Sequence, residues 1–433
     1  MTFDSTPRAP VLRPTQAGER IDTLDIARGI ALFGIFMVNI QLMTKPLAYL
    51  WTGDPAAEGP AAAGFHYVTR VMFESKSYPL FSMLFGMGMA LMLDRARAAG
   101  RPFVAPYLRR TAQLLMVGLV HALLIWYGDI LVYYASFAVV VMWFAGLSTR
   151  VLLSVAGGLL GLASLWIVGV SLLGGLLGGG EVPEATSVTT FSGFWEALSQ
   201  GQLKGGPVDP AWAAAEVDAN KNGPFLHAVA MRAINWGSGT VFWFLFSGTF
   251  LHVPAMFFLG AAIMRSGVLT NPESSWPKRF VHIGLFVGVP GSAVAVAMSE
   301  LTGEDSIWFG LSGALTFVVG PCVSIGYLGV ASWLALRLRS ALVVRSIAAA
   351  GRMAMTNYLG QSIIVAALAQ HWGLGWYDEV SRVGMVGIVA VIYAGQLVFS
   401  SLWLSRFTMG PLEYLWRCGT YFRLPRLLKQ ADS

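Results

Sequence analysis

Unbroken apolar runs alternate along the chain with short polar links. They fall near 24–43, 77–94, 109–127, 130–147, 151–176, 241–264, 280–299, 308–335, 349–370 and 384–404. Each is long enough for a helix that crosses a bilayer core, and most are bounded by Gly, Pro or charge clusters. The pattern predicts an all-α fold, a polytopic membrane bundle of about ten transmembrane helices. It divides into a tail (1–22), five spans (23–176), a long link (177–240), five more spans (241–404) and a second tail (405–433).

The links test that count. Arg95, Arg97, Arg101, Arg109 and Arg110 follow the second run, Arg150 the fourth, Arg265, Lys278 and Arg279 the sixth, and Arg337, Arg339, Arg345 and Arg352 the eighth. Between them lie acidic or neutral links, with Glu300, Glu304 and Asp305 in one and Asp378, Glu379 and Arg382 in another. The tails carry Arg8, Arg13 and Arg20, then Arg417, Arg423, Arg426 and Lys429. Cytoplasmic links of membrane proteins are enriched in Lys and Arg, so the alternation predicts both termini in the cytoplasm. In the link 177–240, Phe191 to Leu203 and Ala211 to Asn235 read as short helices on the outer membrane surface. No repeat relates the two halves, so an inverted-repeat transporter finds no support.

Composition agrees. Of 433 residues, 55% are hydrophobic and 12% charged, against about 25% charged in a soluble domain. This excludes a soluble enzyme, a disordered chain, a coiled coil and a disulfide scaffold. The net charge of +6 reads as arginine marking cytoplasmic links, with no nucleic acid partner. Cys322 and Cys418 cannot build a framework, and neither has a Cys or His at ligand spacing, so no metal is expected. The polar stretch before the first run, with Pro10 and Pro14, does not read as a cleaved signal.

Ionisable side chains inside a span are costly and therefore informative. Arg28 and Asn39 lie eleven residues apart on one face of the first span. Arg28 either holds a phosphate or carboxylate near the cytoplasm or pairs with Asp25 or Asp22 as an anchor. Lys76, at the outer start of the second span, either binds substrate or snorkels. His121 stands about 18 Å along the third span from Arg109, and Asp129 opens the fourth. The Asp is either a helix cap or the acid that fixes the tautomer of a general base. Asn357 and Gln361 share one face of the ninth span, facing a ligand path or gluing helices together. Gly410 to Arg417 predicts a short interfacial helix begun by Pro411. His66, His227, His252, His282 and His371 are scattered singly. They read as interfacial or packing residues, with His66, in the first outer link, kept in reserve. There is no P-loop, metal-spaced cluster or nucleophile elbow.

Taken in order, Leu24-Asp25-Ile26-Ala27-Arg28-Gly29 with Asn39, the Lys76 to Gly86 stretch, His121, Gly128-Asp129-Ile130-Leu131, Gly351 to Ser362 and Gly410 to Arg417 resemble the YeiB-like bacterial membrane proteins (domain of unknown function 418). The resemblance covers about 20–425, with 177–240 unmatched. It implies a place in a transmembrane acyltransferase superfamily that includes the lysosomal heparan-alpha-glucosaminide acetyltransferase. The implied activity is transfer of an acyl group, expected to be acetyl, from cytoplasmic acyl-CoA to a small-molecule, glycan or lipid acceptor at the outer face of the bacterial inner membrane. The superfamily uses a His base. His121 matches this family's own motif, and His66 matches the lysosomal enzyme's placement, so both stay open.

On this reading His121, steered by Asp129, deprotonates an acceptor hydroxyl or amine. Arg28, Arg352 and Arg417 hold the acyl-CoA phosphates. Asn39, Asn357 and Gln361 line the path and polarise the thioester, and Lys76 is counted with the binding residues. The bilayer and acyl-CoA are the expected partners, with a homodimer as a further expectation. A proton-coupled small-solute transporter using the same His and Asp as a relay is the alternative, and a scaffold whose polar residues only pack helices is the third.

Overall fold

A computed structural model describes residues 22–53, 59–177, 188–203, 209–271, 273–302 and 306–429. Arg8, Arg13 and Arg20, Gly178 to Gly180, Lys204, and Glu304 and Asp305 lie outside the described residues. The described residues are predominantly helical, with one isolated bridge, Phe407 to Leu428, and no strand among them. Helices meet their backbone hydrogen-bonding needs internally, which lipid demands of any spanning segment.

We number the helices α1 (Asp22–Thr44), α2 (Pro60–Met72), α3 (Ser77–Ala98), α4 (Val104–Leu124), α5 (Leu131–Val141), α6 (Thr149–Leu177), α7 (Phe191–Ser199), α8 (Pro210–Lys221) and α9 (Phe225–Ile234). They continue with α10 (Thr249–Arg265), α11 (Trp276–Ile283), α12 (Val289–Leu301), α13 (Ile307–Arg337), α14 (Leu342–Arg352), α15 (Ala354–Ala369), α16 (Arg382–Arg406) and α17 (Pro411–Tyr421). Every apolar run predicted to span falls on one or two of these helices. Among the described residues, five helices are long and apolar enough to cross a bilayer, or six if the bent pair Phe225–Phe246 and Thr249–Arg265 is one span. The remaining runs fall short for visible reasons. Asp94, Arg95 and Arg97 end α3, Arg109 and Arg110 begin α4, Met353 breaks the ninth run between α14 and α15, and the apolar helix at Leu131–Phe144 is short.

Helix α1 is the axis, buried over 61% of its apolar window against 17% for α6. It packs on α3 and on α13 to α16. Two reciprocal glycine contacts set the closest crossings. A Cβ on Gly86 would stand 2.0 Å from the Phe257 carbonyl oxygen and one on Gly260 2.0 Å from that of Met83, locking α3 to α10. Gly29 and Gly351 do the same between α1 and α14, where a Cβ on Gly351 would meet the Asp25 carbonyl at 1.8 Å. Leu165, Leu176, Val391 and Leu402 project outward from α6 and α16, an apolar belt of the kind water does not tolerate. This is a multi-pass membrane protein.

Contacts between links gather them at two ends. At one, Arg265 donates to the Leu147 carbonyl at 2.6 Å, Arg339 pairs with Asp22 at 2.9 Å, and Arg109 donates to the Thr420 carbonyl at 3.0 Å. At the other, Lys45 pairs with Asp378 at 3.1 Å, Lys221 with Glu379, and Arg70 with Glu300. We call these the arginine end and the acidic end.

Candidate functional site

His121 lies in the last turn of α4, and the loop 125–130 turns the chain back into α5. Trp126 Nε1 and the Tyr127 hydroxyl both donate to the Leu42 carbonyl, each at 3.2 Å, which pins that loop to α1. Asp129 then does two things at once. Its Oδ1 accepts from the Val132 N–H at 2.8 Å, capping α5, and its Oδ2 lies 2.7 Å from His121 Nδ1. Gly118 makes the approach feasible, since a Cβ there would stand 2.8 Å from Asp129 Oδ1.

A carboxylate opposite Nδ1 assigns a proton to that nitrogen, so in the neutral imidazole the lone pair falls on Nε2. Nε2 is buried and has no hydrogen-bond partner among the described residues. The Tyr358 and Trp126 rings flank the imidazole, with centroids at 5.3 and 6.2 Å. One Asp129 side chain thus makes both the helix-capping contact and the contact with the imidazole.

The other sequence-predicted residues divide. Arg28 pairs with Asp25 at 2.8 Å and is 30% exposed. It flanks the α1–α14 crossing where Arg352 ends its helix, because Gly351 rests on the Asp25 carbonyl. Arg417 sits half-buried on α17, the short helix predicted at Gly410 to Arg417. Glu413 of that helix accepts from the Met355 and Thr356 N–H groups at 2.8 and 3.0 Å, capping α15 from outside. Arg110, which sequence reasoning did not single out, lies at the same end between the Phe85 and Trp416 rings.

Asn357 and Gln361 are knitted into a different network. Asn357 Nδ2 donates to the Ala350 carbonyl and to Ser400 Oγ, each at 3.0 Å. Gln361 donates to Gln396 Oε1 at 2.9 Å, and Gln396 donates to the Asn357 carbonyl at 2.8 Å. Both amide protons of Asn357 are used, so it offers none to a thioester carbonyl; helix glue is the role this geometry fits. Lys76 is 1% exposed and donates to the Arg70 carbonyl at 2.8 Å, so it does not snorkel. Asn39 is half-buried on α1. No hydrogen bond or ion pair among the described residues joins Lys76, Asn39 or Arg28 to His121.

His66, on α2, stands 3.9 Å from Glu300. Burial, then the charges of Arg382 and Arg70, hold its imidazole below the ordinary histidine range. It lacks the short carboxylate contact that orients His121. His252 is buried between the Tyr78 hydroxyl (3.0 Å) and the Phe317 carbonyl (3.3 Å), a satisfied packing residue.

The link 177–240 holds what sequence reasoning missed. Its helices α7, α8 and α9 share an apolar cluster built on Phe194, Trp212 and Met231 and close over the acidic end of α4. Glu216 and Arg232, 1% and 3% exposed, line a cavity of about 20 Å³ with Trp126, Tyr127, Asn235 and Tyr377, room for one or two waters. Glu216 Oε2 accepts from the Leu47 N–H at 2.9 Å. Its Oε1 lies 2.7 Å from the Tyr377 hydroxyl, which also lies 3.0 Å from the Lys45 carbonyl. A phenol has one proton for these two acceptors. Both are served when Glu216 is the acid, donating to Tyr377 while Tyr377 donates to Lys45. Burial, with the Asp378 charge adding, pushes the Glu216 carboxyl up to about 7, against the pull of Tyr377, Leu47 and Asn235. The sequence carries only a weak trace of them, one charge in each of the small-apolar stretches Ala213-Ala214-Ala215-Glu216 and Ala228-Val229-Ala230-Met231-Arg232.

Comparison with known proteins places these residues in a wider setting. Residues 263–423 match the family model described as "Protein of unknown function (DUF418)". The chain is 32% identical over 435 residues to the uncharacterized protein YxaH of Bacillus subtilis, covering 97% of this chain and 99% of that protein. It is 29% identical over 417 residues to the uncharacterized protein YeiB of Escherichia coli, covering 92% and 96%. An uncharacterized 39.9 kDa protein from the amylase 3′ region of Bacillus acidopullulyticus is 26% identical over 429 residues, covering 97% and 99%. Coverage of 97% carries the similarity across 177–240, which corrects the expectation that this link stands outside the resemblance.

Proposed function

The chain belongs to the DUF418 family of YeiB-like proteins, and from that premise we propose that it is a membrane acyltransferase with His121 as its base. The observation that carries the reading is the buried His121–Asp129 pair with Nε2 unpartnered. A base must face its substrate with an open lone pair, and leaving one buried and unused costs stability. The acceptor O–H or N–H gives its proton to Nε2 while the acceptor atom attacks the thioester carbonyl carbon. The C–S bond breaks, and the leaving thiolate takes the proton back from the imidazolium. Asp129 holds the ring and supports its transient positive charge.

The arginine end suits the donor. Arg28 and Arg352 flank one crossing, and with Arg417 they supply the charge that acyl-CoA phosphates require. In this reading the arginine end faces the cytoplasm, both termini lie there, ten segments cross the bacterial inner membrane, and the acceptor reaches His121 from the acidic end. Asn357 and Gln361 hold α15 in place rather than touching the thioester.

Purified protein in lipid nanodiscs with acetyl-CoA and an envelope extract as acceptor source should release free CoA thiol. His121→Asn keeps a donor where Nδ1 stands and deletes Nε2, so it should fold and lose turnover. Full turnover in that variant would exclude His121 as the base. Solute flux into proteoliposomes without acyl-CoA, abolished in Asp129→Asn, would replace the enzyme with a proton-coupled transporter.

A further inference from the structure

Arg232 presents an unused cation. Its Nε donates to the Leu123 carbonyl at 3.0 Å, at the end of α4 two residues beyond His121. The Phe225 ring lies 5.4 Å from its guanidinium carbon. Both Nη atoms are buried, and neither has a hydrogen-bond partner among the described residues. The neighbouring Glu216, bonded to Leu47 and Tyr377, makes no hydrogen bond to either Nη among the described residues. A guanidinium is always charged, and a buried unpaired charge is costly. The cavity it lines has room for one or two water-sized groups.

We propose that Arg232 and this cavity form a binding site for a monovalent carboxylate, and, resting on the acyl-transfer reading above, that the carboxylate belongs to the acceptor presented to His121. Two Nη groups make a fork that matches two carboxylate oxygens in one plane. The size of the cavity and the adjacent Glu216 favour a small monoanion over a phosphate dianion, which carries more oxygens and would be repelled by any ionised Glu216. Trp126 joins the two sites, lining the cavity and standing edge-on to the His121 ring.

The test measures binding without acyl-CoA. Detergent-solubilised full-length protein is titrated with sodium acetate, sodium phosphate or sodium chloride at matched ionic strength, and the thermal midpoint is followed. Acetate alone should raise it saturably, with half-saturation weakened at least tenfold in Arg232→Lys, which keeps the charge and loses the fork. His121→Asn should bind acetate like wild type. Arg232→Met, should it stay folded by gel filtration, should show no acetate response. An equal response to chloride, a response to phosphate only, or an Arg232→Lys curve matching wild type would each overturn the site. Turnover lost in His121→Asn with no acetate response in wild type would leave the acyl-transfer reading standing and remove this one. Acetate binding with no thiol release by wild type would do the reverse.

Discussion

The Asn357–Gln361–Gln396–Ser400 network and the acidic-end cluster of His121, Asp129, Glu216 and Arg232 are both buried polar groups in one bundle. In the first, Asn357 spends both amide protons and Gln396 bonds on both its oxygen and its nitrogen. In the second, His121 Nε2 and both Arg232 Nη atoms are buried and have no hydrogen-bond partner among the described residues. Polar residues in a membrane bundle thus separate by their hydrogen-bond accounts. A closed account is packing, and an open one stores a cost that a substrate can relieve.

The largest expected effect strikes the open cluster. His121→Asn should lower turnover by about 10²- to 10⁴-fold, the usual contribution of a general base, with little change in thermal midpoint. Thiol release and differential scanning fluorimetry on the same preparation separate the two. A large stability loss with modest activity loss would place His121 among the packing residues.

Glu216 tests whether the open cluster is also electrostatically poised. Its folded pKa of about 7 lies above the ordinary 4.5, so the folded state binds this proton more tightly than the unfolded state. The resulting stability is fully present below about pH 4.5 and is lost as pH rises to about 7, a span of up to about 3 kcal/mol. Glu216→Gln keeps an N–H where the acid proton points at Tyr377. The difference in thermal midpoint between wild type and Glu216→Gln should therefore grow in the variant's favour from pH 5 to 7. A pH-independent difference would mean that Glu216 is ionised throughout.

The closed network should behave in the opposite manner. Gln361→Leu alone strands Gln396 Oε1 and should cost about 1–3 kcal/mol of stability, whereas Gln361→Leu with Gln396→Leu removes both partners and should recover most of it. Thiol release per folded molecule should stay near wild type in both. If the double variant folds well but fails to turn over, the network belongs to the site.

How far this contrast was legible in sequence depends on spacing. Apolar runs located the helices, and His121 and Asp129 stood out because two ionisable residues eight apart bracket a turn between apolar runs. Asn357 and Gln361, one turn apart, revealed a polar face but not what fills it. Gln396 and Ser400 lie on α16, and a partner from another helix has no signature in local periodicity. Glu216 and Arg232 were hidden differently. They sit in a link whose composition resembles a membrane-surface segment, and only the packing of α7 to α9 over α4 turns their charges inward. Lys76 shows the same limit, since its place before α3 suggests snorkelling, whereas its burial beside α13, whose Ser324 donates to the Lys76 carbonyl at 2.6 Å, is a tertiary fact.

The smallest stability effect belongs to the arginine end, and it sharpens the comparison from a third direction. Arg28 pairs with Asp25 but keeps 30% of its side chain exposed, so the pair contributes at most about 1 kcal/mol to folding. Arg28→Ala should leave the thermal midpoint almost unmoved. If Arg28 holds a donor phosphate, losing one charge-assisted bond of about 1.5 kcal/mol should raise KM for acetyl-CoA about tenfold. That contact would be the same in ground and transition states, so kcat should hold. A fall in kcat at constant KM would mean that the two ends act in one chemical step, and the division between donor end and base end would not survive it.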